Sequence, residues 1–144
     1  MKNLLLIVFI SLVTFSLSGQ NGAKIEFKAP NNTIDYGKVY RGEDNGSRVF
    51  EFTNTGNAPL VITDVKSTCG CTVPSKPKEP IMPGKTGEIE VKYNMALGPI
   101  SKSVTVETNA VNHENGVVIL KIKGEVIEKQ AINILEPKKV GPMQ

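Results

Sequence analysis

Two thiols stand one residue apart, at Cys69 and Cys71, in a chain of 144 residues with no other cysteine and a single histidine, His113. Cys69-Gly70-Cys71 is where residue type and spacing most invite chemistry. On an extended strand these side chains share a face with Cα atoms about 6.6 Å apart, near the upper limit for a disulfide unless Gly70 bends the backbone. Three readings stay open. The pair is two small buried apolar groups, or one bridge that caps an edge. It is a soft-metal site for Cu(I) or Zn(II), completed by Met82, Met95 or His113, although a closed zinc site takes a fuller ligand set than this spacing supplies. Or it is a thiol redox pair, or a source of disulfides to a partner chain, in an oxidising setting.

The remaining polar residues point away from catalysis. His113 sits in Asn112-His113-Glu114-Asn115-Gly116, a polar turn in which a solvated histidine is expected, and nothing forces a dyad with either cysteine. Glu88, Glu90 and Glu107 fall on outward strand phases and serve solubility, not paired acid and base. No phosphate-cradling glycine loop, nucleophile elbow or His-Glu metal motif occurs. The balance of 17 basic against 14 acidic residues, +3, is too weak for a nucleic-acid binder. The expectation is therefore a protein that is not an enzyme, with no catalytic residue and no cofactor other than the metal considered above.

The elements that must position the cysteines begin after an export segment. Met1-Lys2-Asn3, an uncharged apolar run from Leu4 to Leu17 and the small residues Ser18-Gly19 form the three parts of a signal peptide over residues 1–19. The run is shorter than the ~20 residues that span a bilayer, so no stable membrane span is expected after cleavage. No cysteine precedes Cys69, so the lipid-bearing cysteine of a lipoprotein is not available, and the expected location is periplasmic or secreted. From there on, alternation of period two dominates. Ile25 to Phe27, Ile34 to Tyr36, Ser47 to Thr53, Leu60 to Val65, Glu88 to Tyr93, Ile100 to Val106 and Val118 to Val126 read as strands, with Lys102 the one charge on an inward phase of its segment. Turn residues at Asn54-Thr55-Gly56-Asn57, Pro83-Gly84, Gly98-Pro99 and Asn115-Gly116 punctuate them. About seven short strands with such turns predict an all-β immunoglobulin-like antiparallel sandwich over residues 23–126. Pro74, Pro77, Pro80 and Pro83 recur with the three-residue period of polyproline II and predict a stiff, unpaired crossover between the sheets. Residues 127–144 are polar around Ile132-Asn133-Ile134-Leu135 and read as a frayed tail.

Several segments together carry a resemblance. Phe52-Thr53-Asn54-Thr55-Gly56-Asn57-Ala58-Pro59-Leu60, Cys69-Gly70-Cys71-Thr72-Val73-Pro74, Pro80-Ile81-Met82-Pro83-Gly84, Ile89-Glu90-Val91-Lys92-Tyr93-Asn94 and Asn109 resemble the exported bacterial family called domain of unknown function fifteen-seventy-three. The resemblance covers Ile25 to Val126 and implies a sandwich similar to that of major sperm protein and of cilium proteins; it implies no reaction. The function expected is a non-enzymatic binding or assembly module of the bacterial cell envelope, whose edges and loops contact an envelope protein or another envelope component. The alternative is metal binding or thiol redox chemistry at Cys69 and Cys71.

Overall fold

The structure is a computed structural model that describes Gly19 and residues 21–130. The signal-peptide reading of residues 1–19 lies almost wholly outside the described residues, as does the tail from residue 131. Alternation becomes strands β1 (Ile25–Phe27), β2 (Thr33–Tyr40), β3 (Ser47–Asn54), β4 (Ile62–Ser67), β5 (Thr72–Ser75), β6 (Thr86–Tyr93), β7 (Gly98–Thr108) and β8 (Val117–Ile127). They form two four-stranded sheets, in the orders β1-β3-β6-β5 and β2-β8-β7-β4.

The inward phases meet between the sheets. Phe50 and Phe52 of β3, Ile89 and Val91 of β6, Val104 and Val106 of β7 and Leu120 of β8 are all fully buried. Each such side chain contributes about 1.5–3 kcal/mol by leaving water. Phe27 of β1 packs obliquely on Phe52 with ring centres 5.4 Å apart, which fastens this short strand to the core. Among the described residues no fully buried side-chain nitrogen or oxygen lacks a hydrogen-bond partner.

The immunoglobulin-like sandwich is present, and three details of the expectation need correction. First, there are eight strands, the added one being β5 with Pro74 inside it. Asn94 N–H donates to Cys71 O at 2.9 Å, so odd residues of β5 face β6 and Pro74 turns its nitrogen to the free edge, where no ladder donor is needed. Second, the pairing is not wholly antiparallel: β2 runs parallel to β8. Third, the proline segment is neither unpaired nor the crossover. It joins the adjacent strands β5 and β6 of one sheet, and Ile81 within it exchanges two 2.8 Å backbone hydrogen bonds with Leu60. The chain changes sheet at several connections, and the one nearest this segment, between β4 and β5, is made by residues 68–71, the cysteine segment itself.

The connections gather at the two ends of the sandwich. One end holds the cysteine crossover, the 41–46 turn between β2 and β3, and the 94–97 loop between β6 and β7. The other holds the chain entry at 21–24 and the 55–61, 76–85 and 109–116 connections.

Candidate functional site

Cys69 and Cys71 are joined by a disulfide with Cα atoms 5.3 Å apart. The spacing is shorter than that of a strand because the segment is a turn, closed by Thr72 N–H donating to Cys69 O at 3.4 Å. Hydrogen bonds anchor this turn independently of the sulfurs. Thr68 N–H donates to Ser103 O at 3.1 Å, Cys69 N–H to Ser67 Oγ at 3.4 Å, and Asn94 N–H to Cys71 O at 2.9 Å. By the chain-entropy estimate, closing so short a loop stabilises the fold by only about 1.5 kcal/mol. Both cysteines are half-buried, and Cys71 packs against the core. The hydroxyl of Thr72, itself buried, lies 3.8 Å from Cys69 Sγ and 3.9 Å from Cys71 Sγ. Gly70 at the tip is exposed, and a Cβ built there would meet nothing within 4 Å.

The residues considered as further ligands are split between the ends. Met95 follows Asn94, which is bonded to Cys71, but its buried side chain packs over Gly46, where an added Cβ would lie 3.2 Å from the Met95 sulfur. Met82 and His113 lie at the opposite end, in connections tied to Asn54 and to Gly116 respectively. The structure therefore brings neither His113 nor Met82 to the cysteines, and a Cys-His dyad is not formed. Among the described residues no group of three or more His, Cys, Asp or Glu side chains is arranged to hold a metal.

Beside the cysteine crossover, the 41–46 turn is closed by a charged clamp. Arg48 donates to both carboxylate oxygens of Asp44, at 3.1 and 2.7 Å, and its guanidinium carbon lies 4.1 Å from the centre of the Tyr36 ring. The phenol of Tyr36 donates to Gly46 O at 2.8 Å. Burial pushes the Tyr36 phenol up to about 12, while the hydrogen bond from Arg48 holds the Asp44 carboxyl below the usual carboxylate range. Gly46 is required here: its φ is +75°, and a Cβ would fall 2.1 Å from Tyr93 O. Sequence reasoning passed over the clamp, although Arg48 shares the inward parity of Phe50 and Phe52.

The opposite end is closed by asparagine amides. Asn54 is fully buried; its Nδ2 donates to Ala58 O and Ile81 O, both at 2.8 Å, and its Oδ1 accepts from Lys24 N–H and Gly56 N–H. Asn109 bonds Val61 N–H and Pro59 O, and Asn112 bonds both N–H and C=O of Ile25. The asparagines at 54, 57 and 109 were visible as turn or family residues, but not as struts between connections, nor Asn54 as a buried one.

The sheet edges differ in how they are blocked. On β5 Pro74 presents no donor. On β4 the outward N–H of Val65 is taken by Asp64 Oδ1 at 2.8 Å, beside a register shift between Ile62 and Asp64, and the Lys76 ammonium donates to the carbonyls of Ile62 and Thr63. On β2 the edge is bent by a register shift between Asp35 and Lys38. The β3 edge is different, because β1 pairs with only Phe52, Thr53 and Asn54 of its eight residues. Lys28 N–H reaches Glu51 O at 3.0 Å, so odd residues of β3 face this edge. Ser47 is capped there by Asn45 and by the Arg48 guanidinium. Val49 is 47% exposed, and its N–H and C=O meet no partner among the described residues.

Comparison with known proteins supports this fold. The family described as "Protein of unknown function (DUF1573)" matches residues 25–126. No curated protein matches the chain. A protein of unknown function from Porphyromonas gingivalis W83 is similar at 16% identity and TM-score 0.61, over 76% of this chain and 50% of that one, so this chain spans half of its length. The ASH / PapD-like domain of human CEP192 is similar at 13% identity and TM-score 0.56, over 74% of this chain and 87% of that one. The VesB protease of Vibrio cholerae contains a similar sandwich at 12% identity and TM-score 0.52, over 73% of this chain and 32% of that one. At these identities the likeness is one of fold.

Proposed function

The chain belongs to this DUF1573 family, and on that footing we propose that it is a non-enzymatic binding or assembly module of the bacterial cell envelope, periplasmic or secreted. Its partner is an envelope protein that adds a short extended segment beside β3. The observation that carries this reading is the uncovered edge at Val49. There a donor and an acceptor point outward from the part of β3 that β1 leaves uncovered, and backbone pairing supplies affinity without catalytic groups. Among the described residues no helix is long and apolar enough to cross a membrane.

A photo-crosslinking residue at position 49, introduced in the native host, tests the reading. The expected result is a cross-link to a specific envelope protein whose capture by affinity pull-down is lost in Val49→Pro, a change that removes the outward N–H. Equal capture by a folded Val49→Pro variant would sink the edge as the contact.

The soft-metal alternative belongs to the reduced pair, since two thiolates on one turn could ligate Cu(I) or Zn(II) with groups still to be supplied. Equilibrium dialysis of the reduced chain against each ion is its test. Stoichiometric binding that disappears in Cys69→Ser/Cys71→Ser supports it, and no binding by the parent removes it.

A further inference from the structure

We infer that the Cys69–Cys71 bridge is a thiol–disulfide exchange centre acting on polypeptide dithiols, and that Cys69 is the sulfur attacked. The inference is independent of the β3 edge, which uses no sulfur. Three features of the crossover carry it.

The turn keeps its shape by backbone hydrogen bonds from Thr68, Thr72 and Asn94, so the bridge can open without dismantling the strands on either side. The two sulfurs are unequal. Cys71 packs against the core, whereas Cys69 belongs to the outer limb of the turn between exposed Thr68 and exposed Gly70. The open space around Gly70 leaves room for an incoming chain, and Leu97, exposed on the loop that Asn94 ties to Cys71, offers that chain an apolar contact. Finally, the Thr72 hydroxyl lies within reach of both sulfurs and can donate to whichever becomes a thiolate.

The exchange balances as follows. A substrate thiolate attacks Cys69 Sγ, forming a mixed disulfide and breaking the Cys69–Cys71 bond, and the electron pair leaves on Cys71 Sγ beside Thr72. The second substrate thiolate then attacks the substrate sulfur of the mixed disulfide, closes the substrate's own disulfide and expels Cys69 as a thiolate. The substrate loses two electrons and its two thiol protons; the pair gains two electrons and is protonated to two thiols. A second disulfide of higher potential than this pair reverses the cycle on the protein.

The experiment incubates the oxidised full chain with a synthetic peptide carrying two thiols, quenches with iodoacetamide and reads intact mass. Conversion of the peptide to its disulfide, with equimolar alkylation of Cys69 and Cys71 and unchanged circular dichroism, is expected. In parallel, Cys71→Ser and Cys69→Ser are each treated with oxidised glutathione. The mixed disulfide should form on Cys69 about tenfold faster than on Cys71. A bridge that stays closed to the peptide until denaturant is added overturns the exchange centre. Equal or inverted rates in the two serine variants overturn the assignment of Cys69. Cross-linking at position 49 in Cys69→Ser/Cys71→Ser reports on the edge separately, so either reading can fail while the other stands.

Discussion

The asparagine end and the cysteine end of this sandwich solve the same problem, which is to finish backbone groups that the ladders leave over, by different means. At the first end, Asn54, Asn109 and Asn112 each answer two or more backbone groups from connections distant in sequence. Asn54 is an interior polar strut whose removal orphans several backbone groups at once, while Asn109 and Asn112 brace their connections from the exposed rim. At the second end, the crossover rests on backbone-to-backbone bonds to Ser103 and Asn94 and the adjoining turn on the Arg48–Asp44–Tyr36 clamp, with a covalent bridge laid on top. The difference is one of dependence: the first end leans on side-chain amides, while the backbone bonds that hold the second do not involve the sulfurs.

The sharpest way to break this contrast is Asn54→Ala, which leaves Ala58 O, Lys24 N–H and Gly56 N–H without their partner and Ile81 O with its Leu60 bond alone. A loss of about 3 kcal/mol or more in urea unfolding is expected; a loss under about 1 kcal/mol would mean that water replaces the amide. Arg48→Ala removes the ion pair and the contact with the Tyr36 ring, and should cost about 1–2 kcal/mol by the same measurement. Serine at both cysteines should cost no more than about 1.5 kcal/mol. A loss as large as that of Asn54→Ala would make the bridge a structural staple and erase the difference between the ends.

Two pH limbs refine the clamp. The Tyr36 phenol titrates higher in the fold than its ordinary value of 10.0, so the stability it contributes is complete below about pH 10 and fades as pH rises toward about 12. Tyr36→Phe should flatten that alkaline limb in thermal melts. Asp44 is shifted the other way, so its contribution is present above its ordinary value of 3.8 and is lost as pH falls through its lower value in the fold. Asp44→Asn should flatten the acid limb, and it is the smallest effect expected.

How much of this was legible depends on whether a feature is periodic. Strands with an inward apolar phase, such as Glu88 to Tyr93, announced themselves. β5 did not, because four residues are too few to show a period and Pro74 argues against a strand unless its nitrogen is known to face outward. The parallel β2–β8 pair joins segments nearly ninety residues apart in sequence and leaves no local mark. Asn54 offered a clue in sharing parity with Phe50 and Phe52, since the alternation that buries those rings also carries the amide inward. The cysteines were conspicuous by scarcity, yet their turn geometry came from tertiary anchors at Ser103 and Asn94, which spacing alone does not contain.

The parallel pairing of β2 with β8 has a mechanical consequence. The chain enters β2 from the side opposite to that by which it leaves β8, so once the three residues of β1 have given way, tension applied between the N-terminal side of β1 and the C-terminal side of β8 falls on this pair. It then pulls β2 and β8 lengthwise past each other. Rungs from Thr33–Lys121 to Tyr40–Ile127 are loaded together in shear and do not open one at a time like a zip. A module pulled at these two points would therefore yield abruptly, with its parallel pair as the clasp.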